Sequence, residues 1–136
     1  MELAFCRAAD FHGGVRIRVA GDIDLAVHDQ LRRALDAVLD TRPAFLQVDL
    51  SEVTLLDAGG GRVLARAARR AHEASIPFAI VEACGLAAWV LQLVAGGDAP
   101  AGDRLRAALA AGAPVRTARP VWPGVQRRAG PGLAAA

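Results

Sequence analysis

Phe45-Leu46-Gln47-Val48-Asp49-Leu50-Ser51-Glu52-Val53-Thr54-Leu55-Leu56-Asp57 runs from an apolar segment into a mixed one and stops on an aspartate, and Ala58-Gly59-Gly60-Gly61 follows. Its first six residues read as a largely buried strand, because an apolar run of this length beside a β-branched Val suits the middle of a sheet. The stretch Ser51 to Ala58 is expected to turn the chain. Beyond it Val63, Leu64, Ala67, Ala68 and Ala71 recur at helical spacing, with Arg62, Arg66, Arg69, Arg70 and Glu73 between them. That is an amphipathic helix, and Asp57 stands where an N-cap belongs.

The pattern extends to both sides. Phe5 to Asp10 and Val15 to Ala20 surround His12-Gly13-Gly14, and Val15, Ile17 and Val19 alternate with Arg16 and Arg18, as in a half-exposed strand of a hairpin. Asp24 is placed to cap a helix on which Val27, Leu31, Leu35, Val38 and Leu39 form the apolar stripe and which Thr41-Arg42-Pro43 ends. This helix joins parallel strands as a crossover. On the far side Ile76-Pro77 leads into a short strand, Phe78 to Val81, and Leu86, Trp89, Val90, Leu93 and Val94 follow at helical spacing. A third helix is expected there, with Trp89 in the core. Asp103 is placed to cap a short helix from Arg104 to Ala110, and no period survives after residue 113, where disorder is expected. The order of elements implies an α/β domain, a mixed sheet of four or five strands with three or four helices mainly on one face.

A length of 136 residues suits one domain with an appendage. No apolar run approaches the ~20 residues of a membrane span, and the first residues carry no basic leader, so a cytoplasmic protein is expected. Fourteen acids and twelve of the sixteen Arg precede Gly112, for a body charge of −2; the other four Arg give the tail +4. A nearly neutral body lacks the concentrated basic face that nucleic acid requires. Cys6 and Cys84 are far apart with no ligand spacing and read as structural thiols, and His12, His28 and His72 are scattered and read as solvated.

Three strings carry a family resemblance. Val19-Ala20-Gly21-Asp22-Ile23-Asp24-Leu25 resembles the xGELDL segment of STAS domains, Val48 to Asp57 resembles their VDLSGVTFLD, and Trp89-Val90-Leu91-Gln92-Leu93 is similar to their VLEL. The resemblance runs from about Phe5 to Val94 and points to the anti-sigma factor antagonist type. It implies a STAS domain over residues 1–111, with 112–136 a Pro/Gly/Arg/Ala-rich tail. It further implies a regulatory protein without enzymatic activity or cofactor. Its partner would be an anti-sigma factor or related kinase-fold protein, bound through the start of the second helix. Asp22, Asp24, Asp57, Ala58, Gly59, Gly60 and Arg62 match that rim. In the family a phosphorylatable serine occupies the place that Gly59 holds here, so phosphorylation at that site is excluded. The nearest hydroxyls, Ser51 and Thr54, match turn and packing positions. The alternative that the resemblance allows is a structural clamp in a lipid-transport ATPase or a multi-protein stress complex. The family's last edge strand has no counterpart in Gly96-Gly97-Asp98-Ala99-Pro100-Ala101-Gly102.

Other readings of these residues are weaker. Asp22, Asp24 and Asp57 could gather for acid–base or metal chemistry, but Asp24 and Asp57 each precede a helix, where a carboxylate caps free amides and complements the dipole. Gly59-Gly60-Gly61 could cradle an anion beside Arg62, yet the string lacks the spacing and lysine of a phosphate loop. Cys84 has no base at useful spacing to make it a nucleophile.

Overall fold

The computed structural model describes residues 5–11, 13–83, 85–97 and 100–112. Strand β1 (Phe5–Phe11) pairs antiparallel with β2 (Gly14–Ile23), and a 3₁₀ turn (Leu25–Val27) leads into helix α1 (His28–Asp40). Then come β3 (Leu46–Leu56), α2 (Ala58–Glu73), β4 (Phe78–Val81), α3 (Gly85–Gly97) and α4 (Ala101–Ala111). The sheet order is β1-β2-β3-β4, with β2, β3 and β4 mutually parallel, so α1 and α2 are the expected crossovers.

One face of the sheet is apolar: Ile17, Val19, Leu46, Val48, Leu50 and Ile80 are buried with Leu31, Leu35 and Leu39 of α1 and Leu64, Ala68 and Ala71 of α2. The opposite face is polar. There Asp49, 1% exposed, accepts from Arg16 Nη2 at 3.0 Å and Arg18 Nε at 3.3 Å, and from the Ser51 amide at 2.8 Å. Burial pushes its carboxyl up, but the hydrogen bonds from Ser51 and Arg16 outweigh it and hold the group at about 2.

Three expectations are corrected. Ser51 to Leu56 does not turn the chain but prolongs β3, because β2 runs on to Ile23 and pairs with it as far as Ile23↔Leu56. Register shifts between Arg18 and Ala20 and between Gly21 and Asp22 absorb the extra residues of β3 as bulges. The third helix turns a different face inward. Ala87, Leu91 and Ala95 are buried, with Val90 and Val94 partly so, whereas Leu86, Trp89 and Leu93 are 58%, 60% and 57% exposed. Trp89 is therefore not core. The segment from Gly85 to Gly97 has Gln92 as its one hydrogen-bonding side chain besides the Trp89 indole, so its sequence offers no contrast from which to read a face. Finally, α4 starts at Ala101, and Asp103 lies inside its first turn, paired with Arg106 at 2.7 Å, instead of capping it. The expected disordered tail lies outside the described residues. Among those described, no strand follows α3, which passes to α4 packed on α2, α3 and β4.

Candidate functional site

Parallel β2 and β3 end side by side at Ile23 and Leu56, so the residues that follow them, Asp24 and Asp57, emerge at one end of the sheet. Asp57 N–H donates to Ile23 O at 3.1 Å and ties the two exits together. The Asp57 carboxylate caps α2, accepting from Gly60 N–H at 2.7 Å. Asp24 caps the 3₁₀ turn in front of α1 through Ala26 N–H at 3.1 Å, and α1 itself starts four residues later. Asp22 accepts from the Thr54 hydroxyl. All three candidate acids are thus engaged locally, as capping and packing demand. Among the described residues no group of three His, Cys, Asp or Glu is placed to hold a metal.

His28, which the sequence presents as a solvated residue, belongs to the site. Its Nε2 lies 2.7 Å from Asp57 Oδ1, and its ring covers Gly59 so closely that a methyl added at Gly59 would overlap it. Burial pushes the Asp57 carboxyl up, and the Gly60 amide and the His28 ring together bring it below its ordinary value. The imidazole therefore occupies the space into which a side chain at position 59 would project. Gly60 is equally confined by Ile23 and Leu56, and Gly61 by Val94 of α3. The glycine run answers close packing on three sides. The Gly60 amide is already taken by Asp57, which argues against an anion nest.

Ala58 and Arg62, both exposed, face outward from the first turns of α2 and share a shallow depression with Leu93, Val94 and Gly97 of α3. Arg62 makes no ion pair among the described residues. Leu93 continues into the exposed row formed with Leu86 and Trp89, while Leu25 and Leu55, 81% and 40% exposed, follow Asp24 and precede Asp57. Asp24, Asp57, Ala58, Gly59, Gly60 and Arg62 of the expected rim thus lie at one end of the sheet, with Asp22 two residues before Asp24 on β2. Two parts of it escape sequence reasoning. His28 is betrayed only by the missing side chain at Gly59, and the α3 row only by the lack of charge from Gly85 to Gly97. Cys84 and His12 lie outside the described residues. His72, at the other end of α2, meets Arg104.

The family model described as "Mlab, STAS domain" matches residues 8–99. No curated protein matches the chain. Among solved structures, a serine-to-glutamate variant of RsbS from Moorella thermoacetica is similar at TM-score 0.57 and 19% identity, covering 69% of this chain and 80% of that one. An anti-sigma factor antagonist from Mycobacterium paratuberculosis is similar at TM-score 0.56 and 26% identity, covering 76% and 92%. The anti-sigma factor antagonist SpoIIAA in its unphosphorylated form aligns at TM-score 0.55 and 14% identity, covering 65% and 83%. Family match and architecture agree on a fold shared with anti-sigma factor antagonists, and the chain belongs to the STAS domain family.

Proposed function

We propose that the protein is a cytosolic, non-enzymatic interaction module that acts as an anti-sigma factor antagonist, binding an anti-sigma factor or related kinase-fold protein in a permanently unphosphorylated form. The working surface is the start of α2 with Asp22, Asp24, Asp57, Ala58, Gly59, Gly60 and Arg62, and residues 1–111 are the working unit. The observation that carries this reading is the rim itself: every carboxylate on it is held by its own chain, while Arg62 and the Leu86, Trp89 and Leu93 row stand open beside it. Arg and Trp are the residue types that most often anchor protein interfaces. The closure of position 59 by His28 supports the absence of a phosphorylation switch.

Titration with purified anti-sigma factors of the source organism tests the reading. Arg62→Glu and Trp89→Glu are each expected to weaken binding more than tenfold, and Arg69→Glu, further along α2, to change it little. Incubation of the complex with ATP is expected to leave the mass of this protein unchanged. Binding untouched by Arg62→Glu, or stoichiometric phosphorylation at Ser51 or Thr54, sinks the proposal. The open α3 row also favours a second reading, that of a constitutive subunit clamped into a larger assembly. Co-purification with transporter subunits in place of a sigma-factor regulator would select it.

A further inference from the structure

At the end of the sheet away from Asp57, a half-open groove of about 410 Å³ lies between the first residues of β3 and β4, the last turns of α2 and one face of α4 along most of its length. Its size falls within the range of small-molecule sites. Arg104, Ala107, Ala108 and Ala111 stand at i, i+3, i+4 and i+7, so one face of α4 forms a wall in which three small side chains leave room and one arginine marks an end. Phe45 and Phe78 line the apolar part from the side of the strands.

Arg104 is the one charged side chain among the described residues that line this groove. Arg104 Nη1 lies 3.1 Å from His72 Nδ1, and because an arginine can only donate, the imidazole accepts. Unlike Arg66 and Arg70 on neighbouring α2, which pair with Asp36, Arg104 has no carboxylate partner among the described residues. Gln47, the other polar lining residue, has its Oε1 taken by Arg16. A guanidinium with free N–H groups beside an imidazole, at one end of an apolar trough, matches a molecule with an anionic head and an apolar body. The chain beyond Gly112 is a poor occupant on the same ground, since residues 113–136 contain four arginines and no acid. We propose that this groove binds an anionic amphiphile of medium length, with its carboxylate or phosphate head on Arg104 and His72 and its alkyl body along Ala107, Ala111, Phe45 and Phe78.

Calorimetric titration of the full chain with decanoate, decyl phosphate, decanol and inorganic phosphate, each below its micellar concentration, tests this. Decanoate or decyl phosphate is expected to bind at one site, the tighter of the two naming the head group, with decanol and inorganic phosphate at least tenfold weaker. Shortening decanoate to octanoate is expected to cost about fourfold per methylene. Arg104→Gln is expected to weaken binding at least tenfold and Ala111→Phe to abolish it by filling the trough, while Arg62→Gln leaves it unchanged. Amide chemical shifts recorded during the titration are expected to move at Phe45, Phe78, Ala107 and Ala111. The proposal is overturned if neither amphiphile binds, if decanol or inorganic phosphate binds as well as they do, if Arg104→Gln is silent, or if the shifts gather around Trp89 on α3.

Discussion

Helices α1 and α2 and helix α3 solve the problem of an outward face in opposite ways. Between α1 and α2, Asp36 holds Arg66 at 3.1 Å and Arg70 at 2.9 Å and Arg70 also reaches Asp40, while within α1 Asp29 holds Arg33 at 2.9 Å as well as Arg32. Water meets paired charge there. On α3 it meets Leu86, Trp89 and Leu93, with no charged residue from Gly85 to Gly97. A chain that can dress two helices in ion pairs has the means to dress a third. The bare one fits the docking face proposed above, since contiguous exposed apolar surface marks interaction sites in soluble proteins.

Truncating one residue on each face of α3 is expected to give the largest difference. Leu91 is fully buried, and Leu91→Ala is expected to cost about 2–5 kcal/mol of unfolding free energy, by lost transfer energy and the cavity left behind. Trp89→Ala, on the open face, is expected to fall within about 0.5 kcal/mol of wild type. Urea unfolding of the two variants checks both values. A loss at Trp89 comparable to that at Leu91 would return the tryptophan to the core and remove the basis for a docking face.

Charge is also buried in this protein, at Asp49, unlike the exposed pairs of α1 and α2. Its carboxyl is lowered from 3.8 to about 2 in the folded protein, against the opposing effect of burial. Because the folded value lies below the unfolded one, the stabilisation is complete above the unfolded value and is lost as pH falls through 3.8 towards 2. The shift corresponds to about 2 kcal/mol. Unfolding free energies measured between pH 5 and 2 are expected to decline for the wild type, with that part of the slope absent in Asp49→Asn. Equal slopes in the two proteins would show that Asp49 is not held by Arg16 and Ser51.

A third test concerns His28 and the closed end of α2. Gly59→Glu places a carboxylate in a first turn where the dipole favours it, yet its Cβ collides with the imidazole and forces His28 off Asp57. The expected net cost is about 1–2 kcal/mol, as for other overpacked sites. In the background of His28→Ala the same substitution is expected to cost little, so a double-mutant cycle reports the coupling. If the cycle closes to zero, the ring does not occupy the space over Gly59. Loss of partner binding by Gly59→Glu alone therefore cannot be assigned to its charge, and Ala58→Glu, on an exposed neighbour, is the cleaner probe.

Local chemistry was legible in the sequence and distant chemistry was not. Asp57 could be read as a cap because a carboxylate before a helix meets free amides within its own turn, whatever the rest of the fold does. Strand β2 and helices α1 and α2 were legible because each alternates apolar with charged residues, and the start of β3 and β4 because each is a short apolar run. The polar residues of Ser51 to Leu56 suggest a turn, whereas pairing with the far end of β2 keeps the segment extended. The reason for glycine at 59 lies in His28, which only the crossover through α1 brings near. For α3, almost every side chain is apolar, and only the sheet and α2 decide that Leu91 turns inward and Trp89 outward.

The smallest effect is expected where the ion pairs are most numerous. Asp36→Ala removes the acceptor of Arg66 and Arg70 together, and also the longer contact to Arg32 at 3.8 Å. The three arginines stay partly exposed, so water replaces the lost partner and no guanidinium is stranded in an apolar site. Exposed pairs of this kind contribute about 0.2–1 kcal/mol each, and a shared acceptor makes them less than additive. A total below about 1 kcal/mol is expected in low salt, shrinking further at 1 M, where the screening length falls to about 3 Å. Guanidinium chloride is itself a salt, so urea is the denaturant that keeps this difference visible. If Asp36→Ala proved as costly as Leu91→Ala, the charged seam would be a structural clasp between α1 and α2. Its contrast with α3 would then be one of rigidity and no longer one of which face is kept for water and which for a partner.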